Sequence, residues 1–122
     1  MEEQIHLNTW RKAEIMHREQ IIRFQILVHC HLSGIRLSPA ELDCLAYIAL
    51  HDRTELKPLC ETLAQKRVFK SHQSARNSLD LLEDKKLLMK EGTWRKKVYL
   101  NPEMKIQTEG NIRLDIQCLS RE

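Results

Sequence analysis

The sequence predicts an α+β domain in which three consecutive helices precede a β-hairpin, with additional β-strands before and after this core. Two kinds of periodicity support the prediction. Apolar residues recur three and four positions apart between residues 38 and 84, which is typical of amphipathic helices. They alternate with polar residues over 22–32 and again over 112–118, which is typical of strands. We therefore predict an N-terminal arm over residues 1–20 and a single domain over residues 21–122.

The composition indicates a folded chain with its own hydrophobic core. Apolar residues make up 42% of the 122 residues and charged residues 30%, so a disordered chain is not indicated. No apolar run approaches the roughly 20 residues of a membrane span. The acidic start of the chain does not have the pattern of a secretory signal. We expect a cytoplasmic protein that has no contact with membranes.

Four cysteines are scattered without the short spacings that metal sites and redox pairs use. Three of them lie inside apolar patterns, where a reduced cysteine behaves as a small core residue. We predict neither a disulfide nor a metal site at these positions, which are Cys30, Cys44, Cys60 and Cys118.

The first 20 residues leave two predictions open. The alternation of Ile5 and Leu7 with polar neighbours suits a short strand, whereas Thr9 can cap a helix that carries Trp10 and Met16. An arm that covers the edge of a sheet or packs on a partner is compatible with either structure.

The segment after the arm, residues 22–32, alternates apolar and polar residues over eleven positions, and we predict a long β-strand that ends at Ser33 and Gly34. His29 and His31 would then project from the same face of the strand. No third or fourth ligand is identifiable nearby, so we predict histidines that face solvent or a partner, no metal site and no cofactor.

Three helices follow, and each has a recognisable start. Ser38, Pro39 and Glu41 form a capping-box sequence at the start of the first, which is apolar over much of its circumference. Apolar residues between Leu56 and Ala64 mark a shorter second helix. Ser71 is the predicted N-cap of the third helix, over residues 71–84.

The N-terminal end of the third helix carries the side chains that we predict to contact nucleic acid. Ala75, Leu79 and Leu82 form its inward-facing stripe, which leaves polar residues exposed at an end that attracts phosphate. Arginine can pair with guanine, and glutamine and asparagine can pair with adenine. Small polar residues also begin many surface helices for capping alone. The predicted base-reading residues are His72, Gln73, Arg76 and Asn77, and the predicted backbone contacts here are Lys70, Ser71 and Ser74.

A hairpin follows the third helix. We predict a strand over residues 88–90, a turn at residues 91–93 and a return strand over residues 96–100. Trp94 is expected to pack beneath the hairpin, and stacking at its tip is the alternative. Arg95, Lys96 and Lys97 would contact sugar and phosphate beside the groove that the helix occupies.

The basic residues are concentrated in this part of the chain. Residues 66–97 hold ten basic and four acidic side chains, a net charge of +6, and the remainder holds ten basic and thirteen acidic ones, a net charge of −3. Such asymmetry indicates one basic face, although a lysine-rich solvated surface would give the same count.

Residues 71–101 resemble the recognition helix and wing of winged helix-turn-helix proteins, and the MarR-type pattern most closely. The resemblance is carried by the serine-rich helix start and by residues 82–88, LEDKKLL, leading into a basic wing, and it extends back to Ser38. Lys86 stands where that pattern often has glycine, and the predicted long strand departs from the all-helical N-terminal region of MarR-type dimers. The layout also resembles small winged-helix proteins encoded by tailed phages. The resemblance implies a winged helix-turn-helix core, with recognition helix 71–84 and basic wing 90–97.

The C-terminal end is predicted to form a final hairpin. Met104 and Ile106 precede a turn at residues 108–111, and the alternating residues 112–118 follow it. An edge strand at 22–32 or at 112–118 would allow a homodimer by strand addition.

No catalytic motif is present: the sequence has no phosphate-binding glycine-rich loop, no GxSxG and no HExxH, so an enzyme is not predicted. We expect a sequence-specific double-stranded DNA-binding protein that regulates transcription. The alternative is a protein-interaction adaptor, or a structural component of a phage or nucleoprotein assembly, built on the same fold.

Overall fold

The computed structural model describes residues 18–110, which form four α-helices and one three-stranded antiparallel sheet. The sheet has the order β1, β3, β2, so the last strand lies between the other two. The α+β class was predicted, and the observed arrangement is compatible with a winged helix. The elements are α1 (Arg18–Leu32), α2 (Pro39–Leu50), β1 (Thr54–Glu55), α3 (Leu56–Gln65), α4 (His72–Asp84), β2 (Leu88–Glu91), β3 (Lys97–Leu100) and a 3-10 turn (Pro102–Met104).

One hydrophobic core joins all four helices to the sheet. Each helix contributes an apolar stripe, and the sheet contributes the side chains of one face. Burial of this apolar surface is the main term that stabilises the fold. Its largest fully buried members include Ile22, Ile26, Leu45, Ile48, Leu59, Leu63, Leu79, Leu82, Leu87, Leu88 and Val98.

The predicted start of α2 is confirmed in detail. The Glu41 backbone N–H donates to Ser38 Oγ at 3.1 Å, and the Ser38 backbone N–H donates to Glu41 Oε1 at 2.9 Å. Pro39 occupies the first helical position, where its missing N–H costs nothing. The capping box therefore satisfies two backbone donors and sets the beginning of the helix.

The predicted strand over residues 22–32 is wrong, because this segment lies in helix α1. Only Ile22, Ile26 and Cys30 are buried, four residues apart, so they form a single stripe against the core. Phe24, Val28 and Leu32, which a strand would have placed on the same face, are 42%, 36% and 79% exposed. A sequence with an apolar residue at every second position also has one at every fourth position. On a helix these residues form one stripe, and this stripe packs on α2.

This correction changes three other predictions. On a helix, His29 and His31 lie about 200° apart, so they do not share a face. A homodimer through a strand at 22–32 loses its basis, because that strand does not form. Residues 18–20, assigned to the arm, form the first turn of α1. The remainder of the arm lies outside the described residues.

The segment after β3 also differs from its prediction. Met104 lies in the 3-10 turn and is buried, and Ile106 packs on the core without joining the sheet. Beyond them, the Gln107 backbone N–H donates to Gln25 Oε1 at 2.8 Å, and Gln25 Nε2 donates to the Gln107 carbonyl at 2.7 Å. A side-chain amide on α1 thus satisfies the backbone groups that a strand partner would have satisfied. The predicted strand at 112–118 lies outside the described residues.

The described cysteines are confirmed as core residues: Cys30, Cys44 and Cys60 are buried, each with a free thiol. Burial is the main reason that the pKa of the Cys44 thiol is raised to about 12. At neutral pH this thiol stays protonated and is a poor nucleophile. The fourth cysteine, Cys118, lies outside the described residues.

Helices α3 and α4 end in the same turn, with a basic residue in the left-handed conformation. Lys86 has φ 62°, and the Leu87 N–H donates to the Leu82 carbonyl at 3.0 Å. Arg67 has φ 59°, and the Val68 N–H makes the equivalent bond after α3. This is the Schellman motif, in which glycine is usual because side chains are strained at positive φ. Lys86 therefore forms the same left-handed turn at a position where the MarR-type pattern often has glycine.

Replacing Lys86 with glycine is expected to raise the free energy of unfolding by about 0.5–1 kcal/mol, because the left-handed strain exceeds the extra flexibility of the unfolded chain. Urea denaturation followed by circular dichroism measures the change. Lys86→Ala is the matched control, since it removes the same charge and keeps a Cβ at positive φ. If both substitutions raised the free energy of unfolding equally, the cause would be removal of the Lys86 charge and not relief of backbone strain.

Candidate nucleic-acid interface

The predicted base-reading side chains all project from the first two turns of α4. His72, Gln73, Arg76 and Asn77 are exposed, whereas Ala75 on the opposite face is fully buried. At 100° per residue, Gln73 and Asn77 point almost directly away from the core. The sequence therefore predicted correctly which side of this helix is available to a ligand.

Ser71 and Ser74 form the N-terminal cap of α4. The Ser74 backbone N–H donates to Ser71 Oγ at 3.1 Å, and the Ser71 backbone N–H donates to Ser74 Oγ at 3.0 Å. Ser74 Oγ in turn donates to the Ser71 carbonyl at 3.1 Å. Both hydroxyls thus have a structural role in positioning the helix, and their predicted contact with phosphate would be additional to it.

Gln73 and Asn77 are joined by a hydrogen bond. Gln73 Nε2 donates to Asn77 Oδ1 at 2.9 Å across one turn of the helix. This bond leaves the Gln73 carbonyl oxygen and the Asn77 amide group free to point outward. If both amides were rotated, one donor and one acceptor would still remain. The pair therefore presents one free amino group beside one free carbonyl oxygen to whatever lies against the helix.

Arg76 lies at the side of the exposed face, next to α3. Burial raises the pKa of the Cys60 thiol, and the Arg76 guanidinium, within hydrogen-bonding reach of that thiol, lowers it in part. The guanidinium thus has a local neighbour in the free protein. Arg76 is otherwise exposed on α4.

The loop between α3 and α4 places Lys70 beside an open cavity. This cavity has a volume of about 650 Å³ and is lined by Arg67, Lys70 and Ser74 together with Ala64, Val68 and Phe69. Lys70 is exposed at the N-terminal side of α4, where its charge adds to the positive end of the helix. Val68 and Phe69 are half-buried against the core.

The β2–β3 hairpin is close to its predicted boundaries, with Met89 opposite Tyr99 and Glu91 opposite Lys97. Its loop, residues 92–96, contains two residues with positive φ, Gly92 and Arg95. Arg95, Lys96 and Lys97 are all exposed. Lys97 lies opposite Glu55 on β1, whose carboxylate offsets part of its charge. Arg95 and Lys96 are therefore the stronger candidates for phosphate contact.

Trp94 does not pack beneath the hairpin, contrary to its prediction. It is 79% exposed at the tip, and the Arg95 guanidinium carbon lies 4.6 Å from the centre of its indole ring. The two strands leave no room beneath them for the indole because Val98 and Leu88 already fill the core face.

Lys90 belongs to the predicted basic wing but is not available to a ligand. Its side chain is only 9% exposed and forms ion pairs with Asp80 and with Glu83, the latter at 3.3 Å. Partial burial lowers the pKa of the Lys90 ammonium, but the two carboxylates outweigh this effect and raise the pKa above its usual value. Lys90 therefore fastens the hairpin to α4.

The position of Lys90 also gives the direction of the hairpin. Strand β2 leaves the C-terminal end of α4 at Leu87, and two residues into the strand Lys90 is already opposite Asp80. The strand thus runs back along α4 toward the N-terminal end of the helix. Asp80 is about 10 Å along the axis from Gln73, at 1.5 Å per residue. The basic tip therefore extends toward the end of α4 that carries the exposed polar side chains.

Arg53 is a member of this surface that the sequence did not identify. It forms an ion pair with Glu91 and lies over the ring of Tyr99, with its guanidinium carbon 4.3 Å from the ring centre. Glu91 is thereby neutralised at the base of the tip. No local pattern predicts this contact, because 38 residues separate the two charged partners.

Comparisons with protein-family models, with curated proteins and with solved structures found no match. Among the described residues, none of the helices has the length and apolar character needed to cross a membrane. Function is therefore inferred from the surface of α4 and the hairpin.

Proposed function

We propose that this protein is a winged helix-turn-helix protein that binds double-stranded DNA in a sequence-specific manner and regulates transcription. In this proposal, α3 and α4 form the helix-turn-helix and the β2–β3 hairpin is the wing. The observation that carries the proposal is that Lys90 of β2 pairs with Asp80, so that the strand runs back along α4 and directs the hairpin carrying Arg95 and Lys96 toward the polar N-terminal end of the helix. A helix in the major groove with a basic hairpin on the adjacent backbone uses this arrangement.

The N-terminal two turns of α4 would enter the major groove. Asp84 occupies the exposed face farther along the helix, and its charge disfavours phosphate there. The first two turns of α4, residues 72–79, contain no acidic residue. Insertion by the N-terminal end is also the usual geometry of a recognition helix.

The linked amides of Gln73 and Asn77 favour adenine as one of the bases read. Adenine presents an acceptor, N7, beside a donor, the N6 amino group, in the major groove, and guanine presents two acceptors. An amino group beside a carbonyl oxygen complements adenine, whereas on guanine the carbonyl oxygen would face a second acceptor. Arg76, if it rotates away from Cys60, supplies the two donors that suit guanine at a neighbouring position.

Selection of bound sequences from a random DNA pool tests the proposal. We expect an enriched site that contains an adenine, and Gln73→Ala or Asn77→Ala should weaken the preference at that one position by about five- to a hundredfold. Asp84→Ala is the matched control, because it is exposed on the same face about 16 Å along the helix from Gln73. It should leave the selected sequence unchanged, and recovery of random sequences by the wild-type protein would contradict specific binding.

A second candidate function, the protein-interaction adaptor, is favoured by the outer surface of α1. Phe24, Leu27 and Leu32 are exposed apolar side chains on this helix, and such surfaces mark interaction sites. This surface belongs to a helix and not to the predicted strand at 22–32. Titration of random duplex at low salt separates the two functions, because an adaptor would not bind duplex even there.

A further inference from the structure

We propose that the hairpin tip binds an unpaired base, so that the protein prefers duplex DNA with a single-stranded branch or overhang to uninterrupted duplex. This inference rests on the proposed function, because the duplex would occupy α4 while the unpaired base meets the tip. It assigns a ligand to Trp94, which neither packs in the core nor lies on the exposed face of α4.

The first observation is the exposure of Trp94. An indole that stays 79% exposed forgoes the free energy that burial would supply, although the core lies on the other face of the same hairpin. The residue stands in the middle of loop 92–96, beyond the last paired residues Glu91 and Lys97. The ring is thus at the part of the hairpin that reaches farthest from the domain.

The second observation is the charge around the ring. The Arg95 guanidinium lies over the indole, and Lys96 adds a second exposed cation. The nearest acid along the strand, Glu91, is paired with Arg53. Within residues 18–110, no carboxylate is paired with Arg95 or Lys96. An aromatic ring among such cations is the combination by which proteins bind single-stranded nucleic acid, since bases stack on the ring and phosphates meet the cations.

The energies of stacking favour an unpaired base over a paired one. Stacking on an aromatic side chain contributes about 1–3 kcal/mol per base. Reaching a base inside a duplex requires opening a base step, which costs a few kcal/mol and offsets that gain. The minor groove of regular duplex, about 6 Å wide, also leaves little space for an indole lying flat. Stacking on a base that is already unpaired requires neither the opening of a base step nor entry of the ring into the minor groove.

The test compares the binding of the full chain to two DNAs that share one duplex sequence. One is blunt, and the other ends in a fork with three unpaired nucleotides on each arm. We expect the fork to bind at least about fivefold more tightly. Trp94→Ala should reduce fork affinity to that of blunt duplex, with blunt binding and its salt dependence unchanged. Trp94→Phe, which keeps an aromatic ring, should retain most of the preference.

A spectroscopic measurement locates the contact. The chain has two tryptophans, so Trp10→Phe leaves Trp94 as the only fluorophore of this kind. We expect its emission to be quenched by the fork and not by blunt duplex, because stacking places the ring against a base. An unchanged melting temperature in Trp94→Ala checks that the exposed substitution has not altered the fold.

The outcomes separate this inference from the proposed function. Tight binding of both DNAs with equal affinity would overturn the inference and leave duplex binding intact. An equal loss on both DNAs in Trp94→Ala would also overturn it, because the ring would then act on the duplex or on the hairpin itself. Failure to bind either DNA at low salt would overturn the inference and the proposed function together.

Discussion

Substitution of Arg95 and Lys96 together by alanine will weaken binding to every duplex sequence by roughly 60-fold at 0.1 M salt. Each phosphate contact contributes about 0.9 to the slope of log affinity against log salt concentration, so the slope should become shallower by about 1.8. Both residues are exposed at the hairpin tip. Equilibrium titrations of wild type and variant at several salt concentrations provide the measurement. The selected DNA sequence should stay the same, because phosphate contacts do not identify bases.

The charge-matched control for this experiment is Arg36→Ala combined with Lys105→Ala. These two cations are exposed and lie outside both the hairpin and α4, and their removal changes the net charge by the same amount. Lys105 also shares the left-handed backbone conformation of Arg95, so the two double variants are alike in strain. If both variants lost affinity equally, net charge alone would explain the effect and the wing assignment would fail.

Ile26→Ala will lower the free energy of unfolding by about 3 kcal/mol, because it removes a fully buried side chain from the stripe of α1 that packs on the core. Phe24→Ala removes a larger side chain that is 42% exposed, and it should cost less than about 1 kcal/mol. The pair is informative because a strand would place both residues on one face and a helix does not. Urea denaturation of both variants distinguishes the two structures.

If Phe24→Ala were as destabilising as Ile26→Ala, both side chains would lie on one buried face, as in a strand. The assignment of this segment to helix α1 would then be wrong. Leu27→Ala adds a second comparison, since Leu27 is apolar, exposed and adjacent to Ile26. A small effect at both exposed positions with a large effect at Ile26 is the pattern that a helical stripe requires.

Most of the proposed interface was predictable because its signals are local. Ser71 caps a helix through hydrogen bonds to residues three positions away, and Ala75 and Leu79 define the buried stripe without reference to any other element. The hairpin is similarly marked by Gly92 between two short apolar strands. Such features depend on backbone geometry over a few residues, which the sequence of that stretch specifies.

The charges of the interface were harder to predict, because an ion pair depends on partners that are distant in sequence. Lys90 counts as a basic wing residue in the sequence, yet it is held by Asp80 and Glu83. Arg53 contributes through Glu91, which lies 38 residues away. A net charge of +6 over residues 66–97 therefore overstates the positive charge that faces a ligand, since pairing removes part of it.

The sequence by itself determined the three helices from Ser38 to Asp84 and the hairpin after them, because caps, turns and amphipathic stripes act within each element. Only the tertiary structure decided that residues 22–32 form a helix. Their alternating pattern suits both a strand and a helix with one buried residue in four, and the surface available for packing selects between them. The same holds for Trp94, whose exposure follows from a core face already filled by Leu88 and Val98.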